Sequence, residues 1–309
     1  MSAELDLLTW SLHDQPFTGA AARAAGVSQQ QLERMVRIGA LRRPLRRVYV
    51  GAQVPDSREL RGQVLALVAP PGSVVCDWTA CWYWTGMDRP GRHREVGIDV
   101  FRMRGQDRLR SGLARSGQRT FEPQDVVQFA GDLMVTTPLR TAWDLGRFFS
   151  PVIALGGMDA LLRLREFERG ELLEGVRRFN RQRGVVQLRV LALAADPRSE
   201  SHGESALRWR WLQAGDLPRP VPQVVVTDDQ GRERYRIDLA GEGSKFGAEY
   251  DGVEYHGAKQ ASHDTHRRLV LRDELDWMVR VFRSPQVFGV KPSASVDLLR
   301  AWEEYRRRG

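Results

Sequence analysis

The sequence predicts an α+β chain built from several domains, and three observations predict it. Helical periodicity with capping signals, then a basic hairpin, fills the first fifty residues. A mixture of helical and alternating segments follows, and beyond residue 197 the elements run α-β-β-β-α-β. The expected division is 1–51, 52–196 and 197–309. A length of 309 residues with 42% hydrophobic residues is enough for each part to bury a core. No uncharged apolar run is long enough to span a membrane, so no membrane partner is expected. The stretch MSAELDLLTWSLHDQPF carries acids and an amphipathic pattern, unlike a secretory signal. Cys76 and Cys81 are too few for a disulfide scaffold, so a cytoplasmic location is expected.

Leu5, Leu8 and Leu12 mark the apolar face of a first helix. Thr18 can cap a second, which stops at Gly26. Ser28 and Gln31 form a capping box for a third, with Leu32, Met35 and Val36 inward and Gly39 at its end. The segment LRRPLRRVYV then reads as a basic hairpin. Helix, short turn, helix and basic hairpin is the winged helix-turn-helix pattern. Its recognition helix would present Gln29, Gln30, Arg34 and Arg37, and its wing Arg42, Arg43, Arg46 and Arg47. A three-helix interaction module with solvated charges is the competing description.

The middle part begins with the amphipathic helix DSRELRGQVLALVAP, ended by Pro70 and Pro71. CDWTACWYWTG reads as a short buried helix. Its Trp78, Trp82, Tyr83 and Trp84 are expected in the core rather than as a base-stacking platform. Cys76 and Cys81 have no further ligands at zinc spacing and read as core packing. REVGIDVFRM alternates as a strand, TTPLRTAWDLGRFF starts a helix on a threonine cap, and residues 151–196 continue as helices.

In the last part, SESHGESALRWRWLQAG is a helix with Glu204 near its start. Three strand candidates follow, PVPQVVVTD, ERYRIDLA and KFGAEYDG, the first two joined by the turn signal DDQG. SHDTHRRLVLRDELD reads as a helix and WMVRVF as a strand. Asp238 ends its strand, while Glu249 and Asp251, two apart, share one face of the next. If these strands are neighbours, three carboxylates converge and Glu204 can add a fourth. Such a cluster is costly unless neutralised, and oxygen ligands suit Mg²⁺ or Mn²⁺.

The whole chain is basic, with a net charge of +8 and a pI near 10.0, which favours a polyanionic partner and DNA first. All but three of its 47 basic residues are arginines, a ratio that GC-rich codons also explain. Carboxylates holding a divalent ion beside a basic surface are the equipment for phosphodiester hydrolysis.

Glu204, Asp238, Glu249-x-Asp251, Gly252 and His256, in the stretches ESALRWRWLQAG, RIDLA, AEYDGVEYH and WMVRVF, resemble the Vsr-like branch of the PD-(D/E)XK nucleases. GVSQQQLERMVRIGALRRPLRRVYV resembles the winged helix of AbiEi-type antitoxins, and TTPLRTAWDLGR the middle of actinobacterial proteins joining both modules. The resemblance implies a restriction-endonuclease-like α/β fold at the C-terminal end. It implies that Asp238 and Glu249 are metal ligands and that Glu204 is a ligand or orients water. Asp251 stands where much of the superfamily has lysine, and neither Lys245 nor Lys259 has that motif position. In the Vsr-like pattern an acid and a downstream histidine replace it, which makes His256 the candidate general acid or base.

Arg267, Arg268 and Arg272 read as DNA-backbone contacts or a solvated helix face. His256, His263 and His266 lack a nearby cysteine, which argues against zinc. The expected function is therefore a Mg²⁺-dependent DNA endonuclease positioned by an N-terminal winged helix. The alternatives are a DNA-binding regulator or antitoxin-like protein with a silent nuclease fold, and a nuclease acting on RNA. The sequence leaves a homodimer open and names no protein partner.

Overall fold

Side-chain caps start the first two helices where the sequence places them. The Thr18 hydroxyl accepts from the Ala21 N–H at 3.1 Å. Ser28 Oγ accepts from the Gln31 N–H, and Gln31 Oε1 accepts from the Ser28 N–H at 2.8 Å, a reciprocal capping box. The computed structural model describes residues 15–91, 97–105, 114–228, 230–252 and 269–308. The expected helix through Leu5, Leu8 and Leu12 lies outside them.

The chain is a multidomain α+β protein that divides into two compact units, Met1–Asp144 and Leu145–Gly309. The three-part division read from the sequence is finer and draws its later boundary elsewhere.

The first unit opens with β1 (Phe17–Thr18), α1 (Gly19–Ala24), α2 (Gln29–Arg37), β2 (Leu41–Leu45) and β3 (Val48–Gly51). The three strands form an antiparallel sheet in the order β1-β3-β2. Phe17, Ala22, Val27, Leu32, Met35, Leu41 and Tyr49 close a small core between helices and sheet. The hairpin turns through Arg47, which adopts the left-handed φ of 64°.

The same unit continues with α3 (Arg58–Ala66), β4 (Val74–Val75), α4 (Asp77–Thr85), β5 (Ile98–Met103), β6 (Ala114–Arg119), β7 (Val126–Ala130) and β8 (Leu133–Thr136). These strands make a five-stranded sheet in the order β6-β5-β4-β8-β7. The aromatic residues of α4 are buried, as expected of a core helix. Cys76 and Cys81 are also buried and unbridged. Burial pushes both thiols up, Cys81 to about 12, so each is a small apolar filler.

A charged network is buried with them. Arg119 forks onto Asp77 at 2.7 and 3.1 Å and reaches Asp144 at 3.0 Å. Arg140 joins Asp144 at 2.9 Å and Asp125 at 2.6 Å. Burial raises the carboxyl of Asp144, and the two guanidiniums oppose that rise.

Helix α5 (Pro138–Phe148) crosses the division. The second unit contains α6 (Pro151–Arg163), α7 (Arg169–Glu174), α8 (Val185–Ala194) and α9 (His202–Leu212). It goes on with β9 (Pro220–Thr227), β10 (Glu233–Gly241), β11 (Phe246–Asp251), β12 (Met278–Arg283), α10 (Ser284–Phe288) and α11 (Ala294–Arg306). Its sheet runs β12-β11-β10-β9. Neighbours pair antiparallel except β11 and β12, which are parallel, and residues 269–273 between them are helical. One face packs on α9, α10 and α11 through Trp211, Leu239, Phe246, Ala248, Met278 and Phe282. The other covers Val226, Ile237 and Leu271. Among the described residues no helix is long and apolar enough to cross a membrane.

Candidate functional site

Asp238 marks a break in the sheet. Leu239 and Ala248, paired across β10 and β11, face the larger core. Ile237 lies in the opposite core, where a Cβ added at Gly247 would stand 2.9 Å from its methyl carbon. Residues two apart in a regular strand share a face, so the chain departs from regular geometry at Asp238. The same register, Ile237 to Val224 and Leu239 to Pro222, sets Gln223 opposite Asp238. Gln223 has a φ of 55°, a left-handed backbone that a non-glycine residue rarely takes. Beyond the Leu239–Ala248 pair, Asp238 Oδ2 accepts the Tyr250 N–H at 2.9 Å, fixing the carboxylate against β11.

The pairing of β10 with β11 ends at Leu239 and Ala248, and Asp238 and Glu249 are the next residues on the two strands. Glu249 and Asp251 follow the strand alternation onto the face away from Ala248 and Tyr250, and both are half-buried. Asp251 Oδ2 lies 3.5 Å from Nε of the exposed Arg283, its register partner on β12.

Glu204 arrives from α9. Ser201 caps the helix by accepting the Glu204 N–H at 3.1 Å. Glu204 Oε2 accepts the Glu200 N–H at 2.8 Å and Nε2 of Gln223 at 2.7 Å. Gly203 sets the approach, since a Cβ there would stand 2.0 Å from the Tyr250 ring. The start of α9 therefore rests directly on β11, and only glycine permits it. The preceding His202 ring stacks on Phe288 at 5.4 Å and fills the space where Gly156 would carry a Cβ. Burial lowers its pKa to about 4, so it is neutral at physiological pH. Phe288 also meets Tyr250 edge-on at 6.0 Å. Further along α9, Arg208 is locked onto Asp159 of α6 in a buried ion pair.

The structure thus places Asp238, Glu249 and Asp251 beyond the last paired residues of β10 and β11, and ties Glu204 at the start of α9 to Gln223, the residue opposite Asp238 on β9. Among the described residues no three acidic, histidine or cysteine groups gather as a metal cage. The donor set fits a hard divalent ion nonetheless, because Mg²⁺ commonly takes one or two carboxylates and completes its shell with water and phosphate. His256, Arg267 and Arg268, with His263 and His266, lie outside the described residues. Sequence reasoning missed Gln223 and Gly203. A polar residue inside the apolar run PVPQVVV was the available signal for the first, and nothing in the sequence marks the second.

In the first unit, Gln30, Arg34 and Arg37 are exposed along α2. Gln29 donates to Glu33 at 3.0 Å and to the Tyr49 hydroxyl at 3.3 Å. Arg43, Arg46 and Arg47 line one groove of about 780 Å³ with Gln29 and Arg23. Arg42 differs from its neighbours. Its guanidinium donates to the Val54 carbonyl at 2.8 Å, so it ties β2 to the following segment.

The fold and these two clusters define a mixed α/β chain with a basic front unit and a carboxylate-bearing sheet. The chain is 31% identical over 258 residues to an uncharacterized protein of Mycobacterium tuberculosis strain CDC 1551 / Oshkosh, covering 82% of this chain and 89% of that one. An uncharacterized protein of strain ATCC 25618 / H37Rv matches with the same identity and coverage. The chain belongs to the family of these mycobacterial proteins. No protein-family model matches it. The crystal structure of the RV2827C protein from Mycobacterium tuberculosis aligns with a TM-score of 0.32 at 12% identity, over 64% of this chain and 78% of that one.

Proposed function

We propose that the chain is a metal-dependent DNA endonuclease whose N-terminal module holds it on DNA. The observation that carries the reading is the placing of Asp238 and Glu249 just past the last paired residues of β10 and β11, with the Asp238 carboxylate bonded to the Tyr250 N–H and Glu204 bonded to Gln223 on the strand beside β10. The order α9-β9-β10-β11, a helical stretch and β12, in a sheet β12-β11-β10-β9, supports a PD-(D/E)XK core. The order β1-α1-α2-β2-β3 with sheet β1-β3-β2 supports a winged helix.

Asp238 and Glu249 would hold Mg²⁺ or Mn²⁺, which when bound supplies Lewis-acid stabilisation of phosphoryl charge and an activated water. Glu204, pinned by Gln223 and the Glu200 N–H, orients the attacking water. His256 is the candidate for proton transfer to the leaving oxygen.

The pairing of Asp251 with Arg283 favours one rival, a silent nuclease fold used for DNA binding alone, because it occupies the position of the missing lysine. The test is cleavage of plasmid DNA in Mg²⁺ by the parent, Asp238→Asn and Glu249→Gln. The reading expects cutting by the parent and none by either variant, with DNA affinity retained. A parent that binds but never cuts supports the silent fold, and variants that cut like the parent refute the site.

A further inference from the structure

The groove in the first unit has two unlike surfaces. Its rim carries Arg23 from the end of α1, with Arg43, Arg46 and Arg47 from the hairpin. Among the described residues lining it, none is acidic. Its apolar lining is Ala20, Tyr49, and Leu67 and Val68 just after α3. Leu67 is 42% exposed, an open hydrophobic side chain in the same groove as four guanidiniums. Gln29 and Thr18 add polar groups along one wall. The outer face of α2, with Gln30, Arg34 and Arg37, is not part of the groove.

A duplex backbone makes poor use of this arrangement. It turns phosphate and sugar outward and keeps its bases stacked inside, leaving an apolar lining covered by polar groups. An unpaired strand offers phosphates for the arginines and base faces for the apolar lining together. The volume, about 780 Å³, lies in the range that encloses small organic ligands and matches a short run of nucleotides better than a double helix.

We infer that this groove binds an unpaired nucleic-acid strand, with Arg23, Arg43, Arg46 and Arg47 on its phosphates and Leu67 and Val68 under its bases. The inference rests on reading the N-terminal module as a nucleic-acid binder and names the form of nucleic acid that one part of it takes. Arg23 and Leu67 become binding residues, and the exposed face of α2 remains for duplex.

The test measures fluorescence anisotropy of the full chain, in EDTA to prevent cleavage, with labelled oligothymidylate and with a duplex of equal length. The parent should bind both. Arg23→Ala should lower the log–log salt slope for oligothymidylate by about 0.7, the value of one lost single-strand phosphate contact. Leu67→Glu should weaken oligothymidylate roughly tenfold, because it removes an apolar contact and sets a carboxylate against phosphate. Arg34→Ala with Arg37→Ala should weaken duplex and spare oligothymidylate.

Arg23 and Leu67 are both exposed, and unchanged melting curves check that the variants fold. Oligothymidylate binding that is unchanged in both groove variants overturns the inference. So does a parent that binds duplex and not oligothymidylate, which leaves the wider reading intact. A parent that binds neither overturns that wider reading as well.

Discussion

Gly203→Ala tests how the site is assembled, because the added methyl has nowhere to go. The new Cβ would stand 2.0 Å from two atoms of the Tyr250 ring. Ordinary carbon contacts lie at about 3.5–4.0 Å, so the start of α9 or the ring must retreat by roughly 1.5 Å. Tyr250 is braced by Phe288 and its N–H is held by Asp238, so neither partner yields freely. Overpacking of this kind costs about 1–3 kcal/mol. Urea titration should show that loss as a lower midpoint with an unchanged slope. Gly170→Ala is the control: no atom lies within 4 Å of its Cβ in α7, and alanine there should stabilise by about 0.5–1 kcal/mol. Because Glu204 moves with the helix start, a displacement near 1 Å should also lower cleavage by about 10²-fold. A Gly203→Ala protein as stable as the parent would refute the close approach of α9 to β11.

Three other outcomes follow from the geometry. Arg208→Leu strands the buried Asp159 carboxylate and should cost about 3–5 kcal/mol, while adding Asp159→Leu should restore most of it, as denaturant melts of both variants will show. His202 has a folded pKa near 4, below its ordinary value, so the unfolded chain takes up the proton first. Its contribution of about 3 kcal/mol is complete above roughly pH 6.5 and is lost as the pH falls towards 4, and the difference between parent and His202→Gln melts should trace that curve. Arg46→Ala and Arg47→Ala should each reduce the oligothymidylate salt slope by about 0.7, whereas Arg42→Ala should lower stability and leave the slope alone, since its guanidinium serves Val54.

Local signals in the sequence carried the helices and the last sheet. Thr18, Ser28 and Gln31 cap where their side chains can reach, and Asp228 accepts from the Gln230 and Arg232 N–H groups to make the turn between β9 and β10. The five-stranded sheet was hidden for physical reasons. β4 has two residues, too few for alternation, and β6 reads ARSGQR, with no large apolar side chain, and is held by its pairing with β5. The buried arginines were hidden too. Composition treats charge as surface, yet Arg140 is 3% exposed because Asp125 and Asp144 pair with it, in a network that Asp77 and Arg119 extend. Asp238, Glu249 and Asp251 were legible from spacing on neighbouring strands. Gln223 was not, because its part depends on register, and Gly203 was not, because it answers a ring 47 residues away in sequence.

The way Glu204 is held bears on whether the proposed nuclease core is active or silent. A helix needs only an apolar stripe to pack on a sheet, and α9 already has one in Ala206, Leu207 and Trp211. Around Glu204 the chain adds more than packing requires. Gly203 lowers the helix start onto Tyr250, Gly156 makes room for the His202 ring, and Arg208 fixes the far side to Asp159. Gln223 holds a left-handed backbone while its amide reaches Glu204, and its Oε1 is buried with no hydrogen-bond partner among the described residues. Both features oppose folding: strained backbone costs about 1–3 kcal/mol, and a buried unsatisfied oxygen a similar amount. A scaffold kept only for its shape gains nothing from them, and Gln223→Leu would relieve the second. Under the proposed function, a site that must hold the Glu204 carboxylate in place gains its position from Gln223, and on that proposal the strain is expected of an active rather than a silent fold.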